Sequence, residues 1–136
     1  MRLVEGDNHL ISQRDGLAIC QVWTRPDLSS EQGAKNAAQM LSYLTDVVLR
    51  VGTAYRGLIF DVRRGPTVFG PQTRAALSGF LATSAACKMR VAILTSESAT
   101  QVLQFRSLCA VAPTMTQVFA NEPSAVQWLG TPSHKP

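Results

Sequence analysis

Charged side chains are scarce in this chain: they make up 16% of its 136 residues, with nine acids against 13 lysines and arginines. With 46% hydrophobic residues, that balance excludes intrinsic disorder. Cysteine is nearly absent. Cys20, Cys87 and Cys109 are odd in number and far apart, which excludes a disulfide framework and a zinc-binding spacing. Each lies in an apolar segment and is expected to be a small buried hydrophobe. There are only two histidines, His9 and His134. Neither is placed to activate a cysteine or to reach the segment Arg63–Pro71, so nucleophilic catalysis is not expected. No apolar run approaches the roughly 18 residues that span a bilayer. Glu5 and Asp7 directly after Leu3-Val4 leave no signal-peptide core. A cytoplasmic location follows as the expectation, with membrane contact at most peripheral. Arg63-Arg64 is the only adjacent basic pair. Without a basic stripe and interleaved aromatics, nucleic-acid binding is not expected. No metal or cofactor is implied.

The elements that are present have a clear order. One domain over residues 1–130 is expected, long enough to bury about two thirds of its unfolded surface, with residues 131–136 a disordered tail. Asn8 to Gln13 and Leu17 to Thr24 are strand-like runs around Arg14-Asp15-Gly16, a strong hairpin signal. Ser29 with Gln32 forms a capping-box pattern. Behind it Ala34, Ala37, Ala38, Leu41, Leu44, Val48 and Val51 predict one amphipathic helix that ends at Gly52. Leu58 to Val62 reads as a buried strand that breaks at Arg63-Arg64-Gly65-Pro66. A helix opens behind Gly70-Pro71, burying Ala76, Leu77, Phe80, Leu81 and Ala85. Arg90 to Thr95 is a strand, and Ser98 with Gln101 repeats the capping-box pattern. The helix that follows carries Val102, Phe105, Leu108, Cys109 and Val111 to a stop at Pro113. Thr116 to Ala120 is a last strand, and Asn121 caps a final helix through Leu129, with Gly130 beyond it. The expected fold is α/β in the order β-β-α-β-α-β-α-β-α, a mixed, mostly parallel five-stranded sheet with four helices. The strands of Ile59 and Ile93 are expected inside it.

Gly57-Leu58-Ile59-Phe60-Asp61-Val62 and Arg90-Val91-Ala92-Ile93-Leu94, set in this element order, resemble the central strands of the STAS superfamily, the domains of anti-sigma-factor antagonists and sulfate-transporter tails. The similarity is to the divergent branch of antagonist-like proteins that stand alone in bacteria. That resemblance implies a non-catalytic regulatory module that binds a kinase or anti-sigma partner, switched by phosphorylation of a serine at the start of the second helix. The family's Asp-Ser-Ser-Gly should fall near Val68-Phe69-Gly70-Pro71, where no serine or aspartate stands. Thr67 and Thr73 are the nearest hydroxyls.

Ligands and partners meet open α/β sheets at the carboxyl ends of strands, so the segment from Arg63 to Thr73 is the first candidate site. Arg63, Arg64, Gly65, Thr67, Phe69, Gly70 and Thr73 are its partner- or anion-binding residues. Arginines beside a helix N-terminus suit a phosphate or carboxylate; solvated surface arginines are the alternative. Asp61, ending a buried strand, is a polar anchor or a general base. Val68 and Phe69 either tuck under the second helix or dock a partner. Gly65 to Gly70 has P-loop spacing without its Lys-Ser/Thr, so no phosphate loop is implied. A small-ligand or lipid-binding domain using Arg63–Pro71, or a cleft between helices, is the second functional reading, and an unrecognised enzyme the third. A homodimer is also expected, because successive crossovers place helices on one face of the sheet while Leu58-Ile59-Phe60 and Val91 to Leu94 are apolar on both.

Overall fold

The computed structural model describes residues 2–49 and 55–130. Val51, Gly52 and the tail 131–136 lie outside those residues, and the side chain of Val48 lies outside those described. The chain builds a six-stranded sheet in the order β1-β2-β3-β4-β5-β6, so the α/β class holds with one strand more than expected. The extra strand, β1 (Arg2–Glu5), pairs antiparallel with β2 (His9–Arg14). Leu3-Val4 is too short an apolar run to signal a strand by itself; pairing with β2 makes it one.

Between β2 and β3 (Leu17–Trp23), Asp15 and Gly16 both take positive φ, 53° and 78°, the conformation of a two-residue hairpin turn. From β3 onward the sheet is parallel, through β4 (Gly57–Arg64), β5 (Val91–Leu94) and β6 (Thr116–Phe119). β4 and β5 are both interior, as their unbroken apolar runs require.

Helix α1 (Ser30–Tyr43) starts with both bonds of the capping box, Ser29 to Gln32 and back. It does not continue as a single α-helix. From Leu44 to Leu49 it widens into a π-helical turn, where the Thr45 hydroxyl donates to the Leu41 carbonyl at 2.8 Å and competes with the regular ladder. Helix α2 (Pro71–Ala86) has Gly70 as N-cap and Pro71 in its first turn. Helix α3 (Ala99–Cys109) and helix α4 (Glu122–Gly130) follow, with Asn121 Oδ1 accepting the Ser124 N–H at 2.9 Å. Gly130 is thus the last residue of α4 rather than the one beyond it.

Alternation along the strands divides the core. Leu58, Phe60, Val62, Val91 and Ile93 face α1, α2 and α3, together with Met40, Leu41, Leu44, Leu77, Phe80, Phe105 and Leu108. Leu17, Ile19, Ile59, Ala92 and Leu94 face α4 through Ala125 and Leu129. Leu103 is on the outside of α3, at 65% exposure, and Phe105 takes the buried position. Val111 is also exposed. Of the cysteines only Cys20 is buried; Cys109 is half-buried and Cys87 exposed, because Cys87 falls just past the last buried turn of α2.

The helix that closes the second face is α4, not α1. Gly57 eases this packing: a Cβ there would stand 2.6 Å from Leu129 Cδ2, so a side chain at that position would force Leu129 to shift. Met89 is buried, and the Arg90 guanidinium lies 5.0 Å over the Trp128 ring. The apolar surface that motivated a homodimer is therefore largely covered by the chain itself.

Candidate functional site

At the carboxyl ends of β3 and β4 the first turns of α1 and α2 stand apart, leaving a cleft of about 260 Å³. Gly33, Ala34 and Ala37 of α1 form one wall, and Thr73 and Leu77 of α2 the other. Phe60, Val62 and Phe105 lie at its base, and the β4–α2 loop supplies Pro66, Val68, Phe69 and Gly70. Its polar groups are Asn8, Ser30 and Thr73; among the described residues no charged one lines it. The cleft opens into a wider, shallow groove between the two helices, which shares Ser30, Ala34, Gly70 and Thr73 and adds Glu31 and Lys35.

The residues expected from sequence separate into two groups. Phe69, Gly70 and Thr73 meet at the cleft, with Val68 and Pro66 beside them. Val68 and Phe69 behave differently: the Phe69 ring packs 5.3 Å from that of Phe105, while Val68 is 61% exposed at the mouth. Thr67 is exposed and does not line the cleft. Gly65 makes the turn out of the strand, its N–H donating to the Val62 carbonyl at 2.9 Å.

Arg63 and Arg64 are not in the loop. β4 runs on through both, because Trp23 pairs with Arg64 and the Thr24 N–H donates to the Arg64 carbonyl at 3.0 Å. Alternation then turns Arg63 to the second face, away from the cleft. There it grips Asp61, Nη2 to Oδ2 at 2.8 Å and Nε to Oδ1 at 3.0 Å, with its own backbone N–H on Oδ1 at 3.1 Å. Burial raises the Asp61 carboxyl; the Arg63 hydrogen bonds and charge, with Gln21, outweigh it and hold the group below the usual carboxylate range. Asp61 is therefore a saturated anchor rather than a base in waiting. The Arg64 side chain is exposed. The anion site expected at the start of α2 thus lacks Arg63, and Gly70 offers no side-chain cap.

Nucleophiles fare no better. Burial, with Asp61 nearby, pushes the Cys20 thiol far up, and burial also raises Cys109. Among the described residues no group of three His, Cys, Asp or Glu side chains could hold a metal ion. What the site offers is shape and apolar surface.

Two contributors escaped the reading of the sequence. Gly33, Ala34 and Ala37 sit at helical spacing and resemble ordinary core residues; their small size, in the half of α1 where larger side chains would close the gap, is the available signal. Gln101 is the other. Its Nε2 donates to the Val62 and Pro66 carbonyls at 2.8 and 3.2 Å, and its Oε1 accepts the Ser96 N–H at 2.7 Å. Ser98 still caps the Gln101 N–H at 3.3 Å, but the glutamine side chain leaves the capping box to hold the cleft loop.

A Cβ on Gly33 would meet nothing within 4 Å. Gly33→Ala is therefore expected to stabilise the protein by about 0.5–1 kcal/mol through helix propensity and a less flexible unfolded chain. Urea unfolding checks it; a lower midpoint would show that the wall needs glycine.

Beside Asn8 in the wall, His9 is buried under the β1–β2 turn, where a Cβ on Gly6 would fall 2.2 Å from its ring. Burial lowers its pKa and Asp7 partly opposes this. The unfolded chain thus binds the His9 proton more readily, so stability is full above about pH 6.5 and falls as pH drops through that value. His9→Phe should flatten the decline between pH 7.5 and 5.5 in denaturant midpoints; an unchanged slope would assign the decline elsewhere.

No family model matches the chain, and no curated protein matches it significantly. Among solved structures, the NMR structure of the protein TM1081 matches with a TM-score of 0.62 at 14% identity, covering 93% of this chain and 94% of that one. At that identity the likeness concerns the fold alone, over most of both chains.

Proposed function

We propose that this protein is a non-catalytic interaction module resembling the anti-sigma-factor antagonists of the STAS superfamily, acting in the cytoplasm by binding a protein partner such as a kinase or anti-sigma factor. The observation that carries this reading is the α1–α2 cleft, apolar, at the carboxyl end of the parallel strands and, among the described residues, without a titratable group on its walls. Such a pocket has no acid, base or nucleophile to offer a reaction, yet it suits an apolar anchor from a partner, the kind of contact that dominates interface energetics. Of the two hydroxyls near the start of α2, only Thr73 lines the cleft. A phosphoryl group there would add nearly two negative charges to an apolar mouth.

The aromatic base of the cleft, Phe60, Phe69 and Phe105, favours a second reading, a small apolar ligand. Both readings meet in one variant, Gly33→Phe, which places a ring in the open space of the cleft. The protein-partner reading expects wild-type protein on a resin to retain a partner from native lysate that Gly33→Phe releases. Retention by both, or by neither, would sink it. A thermal shift with acyl chains, lost in Gly33→Phe and without any retained protein, would assign the cleft to the small ligand.

A further inference from the structure

Helices α2 and α3 lie side by side, and a second groove of about 340 Å³ separates their outer surfaces, lined by Pro71, Arg74, Ala75, Ser78, Ser107 and Val111. Leu103 stands one turn before Ser107 on α3. Leu103 and Val111 are 65% and 45% exposed; Val111 lines the groove and Leu103 stands outside it on the same helix, two apolar side chains that the core does not use.

The two helices that form this groove carry charge of one sign. α2 and α3 contain Arg74 and Arg106 and no acid at all. Elsewhere arginines hold acids: Arg14 pairs with Glu122, Arg25 with Asp27 and Arg63 with Asp61. Arg74 instead donates to the Ser107 hydroxyl at 2.8 Å, and among the described residues neither Arg74 nor Arg106 meets a carboxylate. Two cations without acids, flanking exposed leucine and valine, form a surface with a definite complement.

We propose that the α2–α3 face docks an acidic amphipathic helix of a partner protein, its apolar side against Leu103, Val111 and the groove, its carboxylates against Arg74 and Arg106. A groove between two helices accepts the ridge of a third, and helix-in-groove recognition uses apolar anchors; here Leu103 and Ser107 stand one turn apart on α3, and Val111 follows just past its end. Two arginines fall short of the four to eight basic residues that mark an anionic membrane site. The inference rests on the interaction-module reading but uses a surface distinct from the α1–α2 cleft, so the two can fail separately.

Fluorescence anisotropy with two labelled 18-residue helical peptides tests it. Both carry leucine at every third and fourth position; one is flanked by glutamates and the other by lysines. Wild-type protein is expected to bind the glutamate peptide about tenfold more tightly or better, and the R74E/R106E variant to reverse that preference, while Gly33→Phe, which fills only the cleft, leaves it unchanged. Both arginines are exposed, and circular dichroism verifies the fold; R106E alone serves if the double variant unfolds. Equal affinity for the two peptides, or a preference that survives the charge reversal, overturns the proposal. Loss of binding in Gly33→Phe would place the peptide in the cleft and overturn it too. Binding to phosphatidylserine vesicles without binding to the glutamate peptide would assign the face to a membrane instead.

Discussion

Phe60→Ala is expected to lower the unfolding free energy by about 3–5 kcal/mol, the range for removing an aromatic ring from a core. Phe60 is 3% exposed, sits on interior strand β4, and packs edge-on against Phe105 with ring centroids 6.4 Å apart. The space it leaves cannot collapse readily, because Phe60 also lies at the base of the α1–α2 cleft, where the neighbouring backbone already stands apart. Truncation should join the new cavity to the cleft. Guanidinium unfolding measures the loss, and a cost below about 1.5 kcal/mol would mean that the helices can close over the gap, contrary to a well-packed core. Binding through the cleft should weaken in step.

Gln101→Leu is expected to cost about 2–4 kcal/mol although it conserves volume and adds apolar surface, because buried polar groups left without partners are expensive. Gln101 is fully buried. Its loss strands the Pro66 carbonyl and the Ser96 N–H, while the Val62 carbonyl keeps the Gly65 N–H. The effect should be local as well as global. Hydrogen exchange of the amides from Gly65 to Gly70 should speed up more than that of β5, since the side chain ties the loop to α3. Uniform exchange rates across both segments would show that Gln101 is a packing residue only.

These two residues differ in how far the sequence announces them. Phe60 sits in an unbroken apolar run bounded by turn residues, so its burial follows from the hydrophobic effect acting on a pattern. Gln101 sits three residues after Ser98, and local reasoning assigns its side chain to the helix N-terminus. The actual partners are Val62 and Pro66, more than thirty residues away. Nothing in the local pattern distinguishes the two fates, because both satisfy the same amide. Arg63 shows the same limit. Next to Gly65-Pro66 it reads as a loop residue; strand pairing with β3 extends β4 by two residues, and alternation then sets it beside Asp61.

The sequence by itself determined the elements whose causes are local. The Asp15-Gly16 hairpin, the Ser29 capping box, Pro71 in the first turn of α2, the Asn121 cap and the two interior strands all follow from backbone sterics, capping bonds and hydrophobic periodicity, which act within a few residues. Tertiary structure alone decided the rest: that Leu3-Val4 becomes a sixth strand, that α4 closes the second face, that Gly33 and Ala37 line a cleft instead of a seam, and that Arg63 pairs with Asp61 on the face away from the cleft. Each of these depends on which distant surface a segment meets. Short side chains, a lone glycine or a marginal strand have several nearly equal local solutions, and only the packing of the whole sheet against its helices selects one of them.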